Sequence, residues 1–205
     1  NFHAVACRIL VPGYSEIYPV EDLIWDNTNK ALHFRADILN LHRLDDAELV
    51  ALLERIEEHE LDDYTDIITL IGVEFDENTV WGQLTVLELK LLIHLALKQF
   101  EEAHDLVGAF LQYNENTLDR GLFYQAMNVV LEVLLDDELE LADYEANFRR
   151  MFGNERMDAV IGSVDGSVRF YGLTPTSIKL EGLDRHQRLI DSYRKLHKAR
   201  SKMAA

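Results

Sequence analysis

Between Leu84 and Leu97 nearly every face of a helical projection is apolar, interrupted only by Thr85, Glu88, Lys90 and His94. A helix of that composition cannot lie on a surface with one face in water, so it has to be covered from at least two sides. The following segment differs: Ala103, Leu106, Val107, Phe110 and Leu111 fall at i, i+3, i+4, i+7 and i+8 and make a single stripe. The two segments are joined by the short connection Lys98-Gln99-Phe100-Glu101-Glu102, which leaves room only for a tight helical hairpin.

The same 3.6-residue period extends through most of the chain. A helix is expected through Ala31, Phe34, Ile38 and Leu41, capped by Asn27 or Thr28. A second starts at Asp45 and Asp46 with Leu49, Leu52, Leu53 and Ile56 on one face, and a shorter apolar segment runs from Ile67 to Val73 with Gly72 near its end. Leu118 to Leu135, Glu138 to Phe152 and Leu183 to Arg200 complete the set, the last with Leu189, Tyr193 and Leu196 on one face. Val164-Asp165-Gly166-Ser167-Val168 carries the Asp-Gly signal of a β-hairpin turn or a tight loop. The hairpin around Phe100 and Ala103 resembles the second half of a tetratricopeptide repeat, with Leu91 and Phe110 standing where that repeat has small residues. The fold class read from these patterns is mainly α: tetratricopeptide-like stacked helical hairpins.

One β-strand precedes them. Residues 1–11 are short, apolar and partly β-branched, and they stop at Pro12-Gly13. A single strand cannot satisfy its own backbone hydrogen-bonding groups, so this one is expected to belong to an incomplete α+β domain whose other strands lie elsewhere. The expected division is therefore 1–27, a terminal strand and connection, and 28–205, the helical repeat-like domain.

Charge and chemistry narrow the function classes. The net charge is −17, which disfavours DNA and anionic membranes as general partners. It is unevenly placed: residues 176–205 carry eight Lys or Arg against three acidic residues, leaving residues 1–175 at −22. A cationic last helix complementing the acidic body is the plain reading, and a basic docking site for RNA is the sharper one. Cys7, the one cysteine, sits among Ala4, Val5 and Ala6 and reads as a small buried residue of a reducing compartment. With no leader pattern and no long apolar run, a cytoplasmic location is expected.

No catalytic, cofactor-binding or metal-binding residue is assigned. Glu57-Glu58-His59-Glu60 lacks the second histidine of a zinc-protease helix and reads as a solvated acidic helix end. His94 and His104 flank the hairpin bend, one read as packed and the other as exposed. Gly162-Ser163-Val164-Asp165-Gly166 lacks the lysine of a phosphate loop and reads as a turn. Asp62-Asp63 and Asp136-Asp137 lie at helix junctions, where carboxylates serve structure.

Two stretches resemble a known family. Val11-Pro12-Gly13-Tyr14-Ser15-Glu16-Ile17-Tyr18-Pro19-Val20-Glu21-Asp22-Leu23 resembles the exit from the catalytic domain of YcaO proteins. Leu70-Ile71-Gly72-Val73, Trp81-Gly82-Gln83-Leu84 and Glu88-Leu89-Lys90 resemble the helical extension that follows in one branch. The resemblance implies a parent protein that binds ATP and magnesium and activates backbone amides, with those cofactors held by residues outside this chain. It also implies an accessory role in β-methylthiolation of a small-subunit ribosomal protein. The chain ends Ser201-Lys202-Met203-Ala204-Ala205, without the proline-rich tail of azoline-forming members. The expected role is an interaction or dimerisation domain, with a homodimer, a methylthiotransferase or a ribosomal protein as partner. The alternatives are a direct contribution to the ATP or substrate pocket, and a free-standing peptide-binding scaffold.

Overall fold

A computed structural model describes residues 32–75, 79–113, 118–179 and 183–203. The expected strand over residues 1–11, the caps at Asn27 and Thr28, and Cys7 lie outside these residues. Among the described residues the regular structure is helical, and no strand longer than a single bridge pair occurs.

The chain enters through a 3₁₀ turn, Leu32–Phe34, and a short helix α1, Arg35–Leu39, followed by a second 3₁₀ turn, Leu41–Arg43. The continuous helix expected through Leu41 is thus broken. At the break, the Asn40 side chain donates to Ala36 O at 2.8 Å while its backbone N–H is shared between Ala36 O and Asp37 O, which ends the helix locally. Helix α2, Asp46–Glu58, begins with a capping box in which Asp45 accepts from Glu48 N–H and Glu48 accepts from Asp45 N–H, both at 2.9 Å. Helix α3, Ile67–Ile71, stops at Gly72 in the left-handed conformation, and Arg35 donates to the freed Ile71 and Gly72 carbonyls at 2.6 and 3.0 Å.

Helix α4, Val86–Ala96, is capped by Thr85, whose hydroxyl accepts from Glu88 N–H. An isolated antiparallel bridge, Asp66 with Thr85, ties the starts of α3 and α4 together. Val86, Leu89, Leu92 and Ile93 face one apolar cluster, built with α1 to α3. Leu87, Leu91 and Leu95 face a second, built with α5 (Phe100–Tyr113), α6 (Leu118–Leu135) and α8 (Asn154–Asp165). That double coverage is why α4 is apolar on nearly all sides. Ala103 is fully buried in the second cluster, between α5 and its neighbours.

Helix α7, Leu141–Phe152, is followed after Gly153 by α8, and α6, α7 and α8 pack against one another. The Asp-Gly signal does not make a hairpin. Gly162, Ser163, Val164 and Asp165 are the last turn of α8, and Gly166 at φ 92° is its left-handed cap, so the segment read as a turn is mostly helix. The turn residue is chosen for the same torsion in both cases, and only the coverage of Val160 and Met157 by α6 decides for the helix. The last helix, α9, covers Asp184–Met203.

Candidate interaction surface

Two places in this framework carry unusual chemistry, one buried and one exposed. In the interior, Glu88 of α4 is only 2% exposed, ion-paired with Arg120 of α6, and it accepts a 2.8 Å hydrogen bond from the Tyr124 hydroxyl. Gln83 accepts from Arg120 Nη1 at 3.4 Å. Burial lowers the Arg120 guanidinium from its ordinary range, with the nearby Tyr124 acting in the opposite sense, and burial drives the Tyr124 phenol well above its ordinary value. The ion pair and the Tyr124 bond join α4 to α6, while Arg120 Nε is buried without a hydrogen-bond partner among the described residues. Nothing in the sequence pattern pairs Glu88 with Arg120; only the crossing of α4 and α6 does.

The sequence candidates fall into structural roles. Residues 57–60 are exposed at the end of α2, with His59 Nδ1 2.8 Å from Arg55 O. His94 bonds Gln99 Oε1 at 2.8 Å inside the hairpin bend, while His104 faces Glu132 of α6 at 4.0 Å. Asp63 pairs with Lys90 at 2.7 Å and Asp62 accepts from the Thr65 hydroxyl at 2.7 Å. Asp136 accepts from Glu138 N–H at 2.9 Å, forming the turn that delays the start of α7 to Leu141. Among the described residues no group of three or more His, Cys, Asp or Glu is placed to hold a metal.

The exposed feature is α9. Its root is built into the body: Leu183 is buried in the first cluster, His186 Nδ1 accepts from Glu74 N–H at 3.2 Å, and Arg185 lies 3.5 Å from Glu74. Burial and the neighbouring Arg35 lower the His186 pKa against the opposing pull of Glu74, so the ring is neutral and free to accept. Farther along the helix periodic burial stops. Residues 191–196 are exposed without interruption, more than a full turn. Leu189, Tyr193 and Leu196 are 42%, 48% and 61% exposed. The cationic helix therefore meets the body at its root, where Arg185 approaches Glu74, and is exposed beyond it.

A mainly α-helical domain with two buried apolar clusters and an exposed last helix is what the described residues define. Family comparison places it further: residues 31–202 match the YcaO cyclodehydratase C-terminal domain, and the chain belongs to the YcaO family. It is 36% identical over 202 residues, 95% of the chain and 34% of the relative, to an uncharacterized protein of Haemophilus influenzae. It is 30% identical over 200 residues, 96% of the chain and 34% of the relative, to the ribosomal protein S12 methylthiotransferase accessory factor YcaO of Escherichia coli. The chain thus spans about a third (34%) of the length of these relatives. No helix among the described residues is long and apolar enough to cross a membrane.

Proposed function

We propose that this chain is the carboxy-terminal interaction domain of a YcaO-type protein that uses ATP and magnesium to activate backbone amides, accessory to β-methylthiolation of a small-subunit ribosomal protein. Its work is assembly: it joins two copies of the parent protein or brings a methylthiotransferase or ribosomal protein to the catalytic part. The stacking of α4, α5 and α6 in tetratricopeptide-like fashion supplies a rigid base for that role. The single observation that carries the reading is the apolar stripe of α9, held at a fixed root and exposed among the described residues. Apolar residues exposed singly, such as Met151, carry no such meaning, but three aligned on one face of a helix mark a contact with another molecule.

The apolar surplus of α4, which by sequence pointed to a second copy as its cover, is buried within the chain, whereas α6 leaves Leu122, Leu134 and Leu135 exposed. A homodimer draws its support from these α6 residues and from α9. The test is sedimentation and co-purification of the full-length protein carrying Leu189→Asp and Leu196→Asp. Loss of dimer or of methylthiotransferase binding, with an unchanged circular dichroism spectrum, is the expected result. Unchanged assembly would refute the reading.

A further inference from the structure

We propose that the distal part of α9 is the docking surface for an acidic amphipathic helix of a partner protein. The inference rests on the interaction reading above and adds the chemistry of the partner. Leu189, Tyr193 and Leu196 follow one another at intervals of four and three residues, the half-heptad spacing that keeps a stripe facing a second helix. Arg188, Lys195 and Lys202 recur every seven residues, a cationic column beside the stripe, and all three are exposed.

An uncovered helix of this length is marginal in water, because most helix stability in proteins comes from packing an amphipathic face. Its twenty residues carry seven Lys or Arg against Asp184 and Asp191. The rest of the chain is net acidic, −22 against +5 for this helix. A partner helix with Leu or Ile along its seam and Glu or Asp beside it satisfies both features at once. Surface ion pairs contribute only about 0 to 1 kcal/mol each, so the column chooses the partner and the stripe holds it. A nucleic-acid backbone offers phosphates to the column but no apolar surface to Tyr193 and the two leucines.

The probe is a synthetic helical peptide of about three heptads, with Leu at the seam and Glu on its flanks, titrated against the full 205-residue chain. A Lys-flanked version serves as the control. The Glu peptide is expected to bind at least roughly tenfold more tightly, with affinity falling as salt rises. Lys195→Glu with Lys202→Glu should reverse the preference, and Leu189→Asp with Leu196→Asp should abolish binding of either peptide. Equal binding of the two peptides would overturn the inference. So would tighter binding of an oligouridylate or of phosphatidylglycerol vesicles, or self-association through the stripe that excludes the peptide. If the leucine variants abolish assembly of the full-length protein but the Glu peptide fails to bind, only the partner chemistry is wrong. If they leave assembly intact, the interaction reading itself fails.

Discussion

Glu88 shows what a single residue commits the fold to. A carboxylate at 2% exposure is tolerable because Arg120 and Tyr124 reach it from α6. Removing one partner leaves the other charge buried and unpaired, which costs about 3 to 5 kcal/mol in comparable sites, whereas replacing both by apolar residues is often near neutral. Glu88→Leu is accordingly expected to cost about that much by denaturant unfolding, and Glu88→Leu with Arg120→Leu to regain most of it. A single variant as stable as the parent chain would show that the pair is not needed. Gly172 makes a second residue-scale case. At φ 79° it sits where an added Cβ would lie 2.8 Å from Val80 Cγ2, so Gly172→Ala combines backbone strain with a clash. A loss of about 1 to 3 kcal/mol is expected, and a Val80→Ala background should relieve only the steric part.

At the scale of elements, the hairpin of α4 and α5 and the root of α9 make separate claims. Ala103 is buried between α5 and its neighbours, so Ala103→Leu should overpack the site and cost about 1 to 3 kcal/mol, read as a lower denaturation midpoint. The root of α9 is sensitive to pH. His186 accepts a hydrogen bond from Glu74 N–H and is faced by Arg35 and Arg185 as well as by Glu74, and its pKa is lowered chiefly by burial. His42, packed edge-on against Phe170 beside Arg169, is lowered as well, again chiefly by burial. In both cases the unfolded chain binds the proton more readily than the folded one. Their contribution is therefore present above the ordinary histidine pKa of about 6.5 and is lost as pH falls through the lowered folded values. Stability should drop on acidification from neutral pH, and His186→Gln should flatten part of that dependence. A slope unchanged by the substitution would remove His186 from the account.

For the whole molecule, the contrast is between the two buried apolar clusters of the body and the stripe of α9, which joins neither of them. Leu183 belongs to the body and Leu183→Ala should cost about 2 to 5 kcal/mol, while Tyr193→Ala and Leu196→Ala, 48% and 61% exposed, should stay within about 0.5 kcal/mol in the isolated chain. Thermal melts of the three variants test this directly. A large loss from Leu196→Ala would mean that α9 folds back onto the body in solution.

What the sequence determined by itself is local. Asp45 with Glu48, Gly72, Thr85 and Gly153 punctuate the helices through bonds and torsions that span a few residues, so they are legible in one dimension. The stripe of α5 and the all-round apolarity of α4 foretold one covered face and two, because burial has the period of the helix. Tertiary structure alone decided which neighbours supply the cover. The Glu88 to Arg120 pair, the Trp81 bond to Thr174 O across 93 residues, and the Arg169 bond to Asp46 across 123 depend on helix crossings that no local signal encodes. The same holds for α8, whose terminal Asp-Gly suits either a hairpin or a helix end until α6 covers Val160 and Met157. It holds most of all for α9, where the sequence places Leu189, Tyr193 and Leu196 on one face and leaves open what that face meets. Periodicity records that a face is apolar, and only the path of the chain in space records whether that face has met its partner.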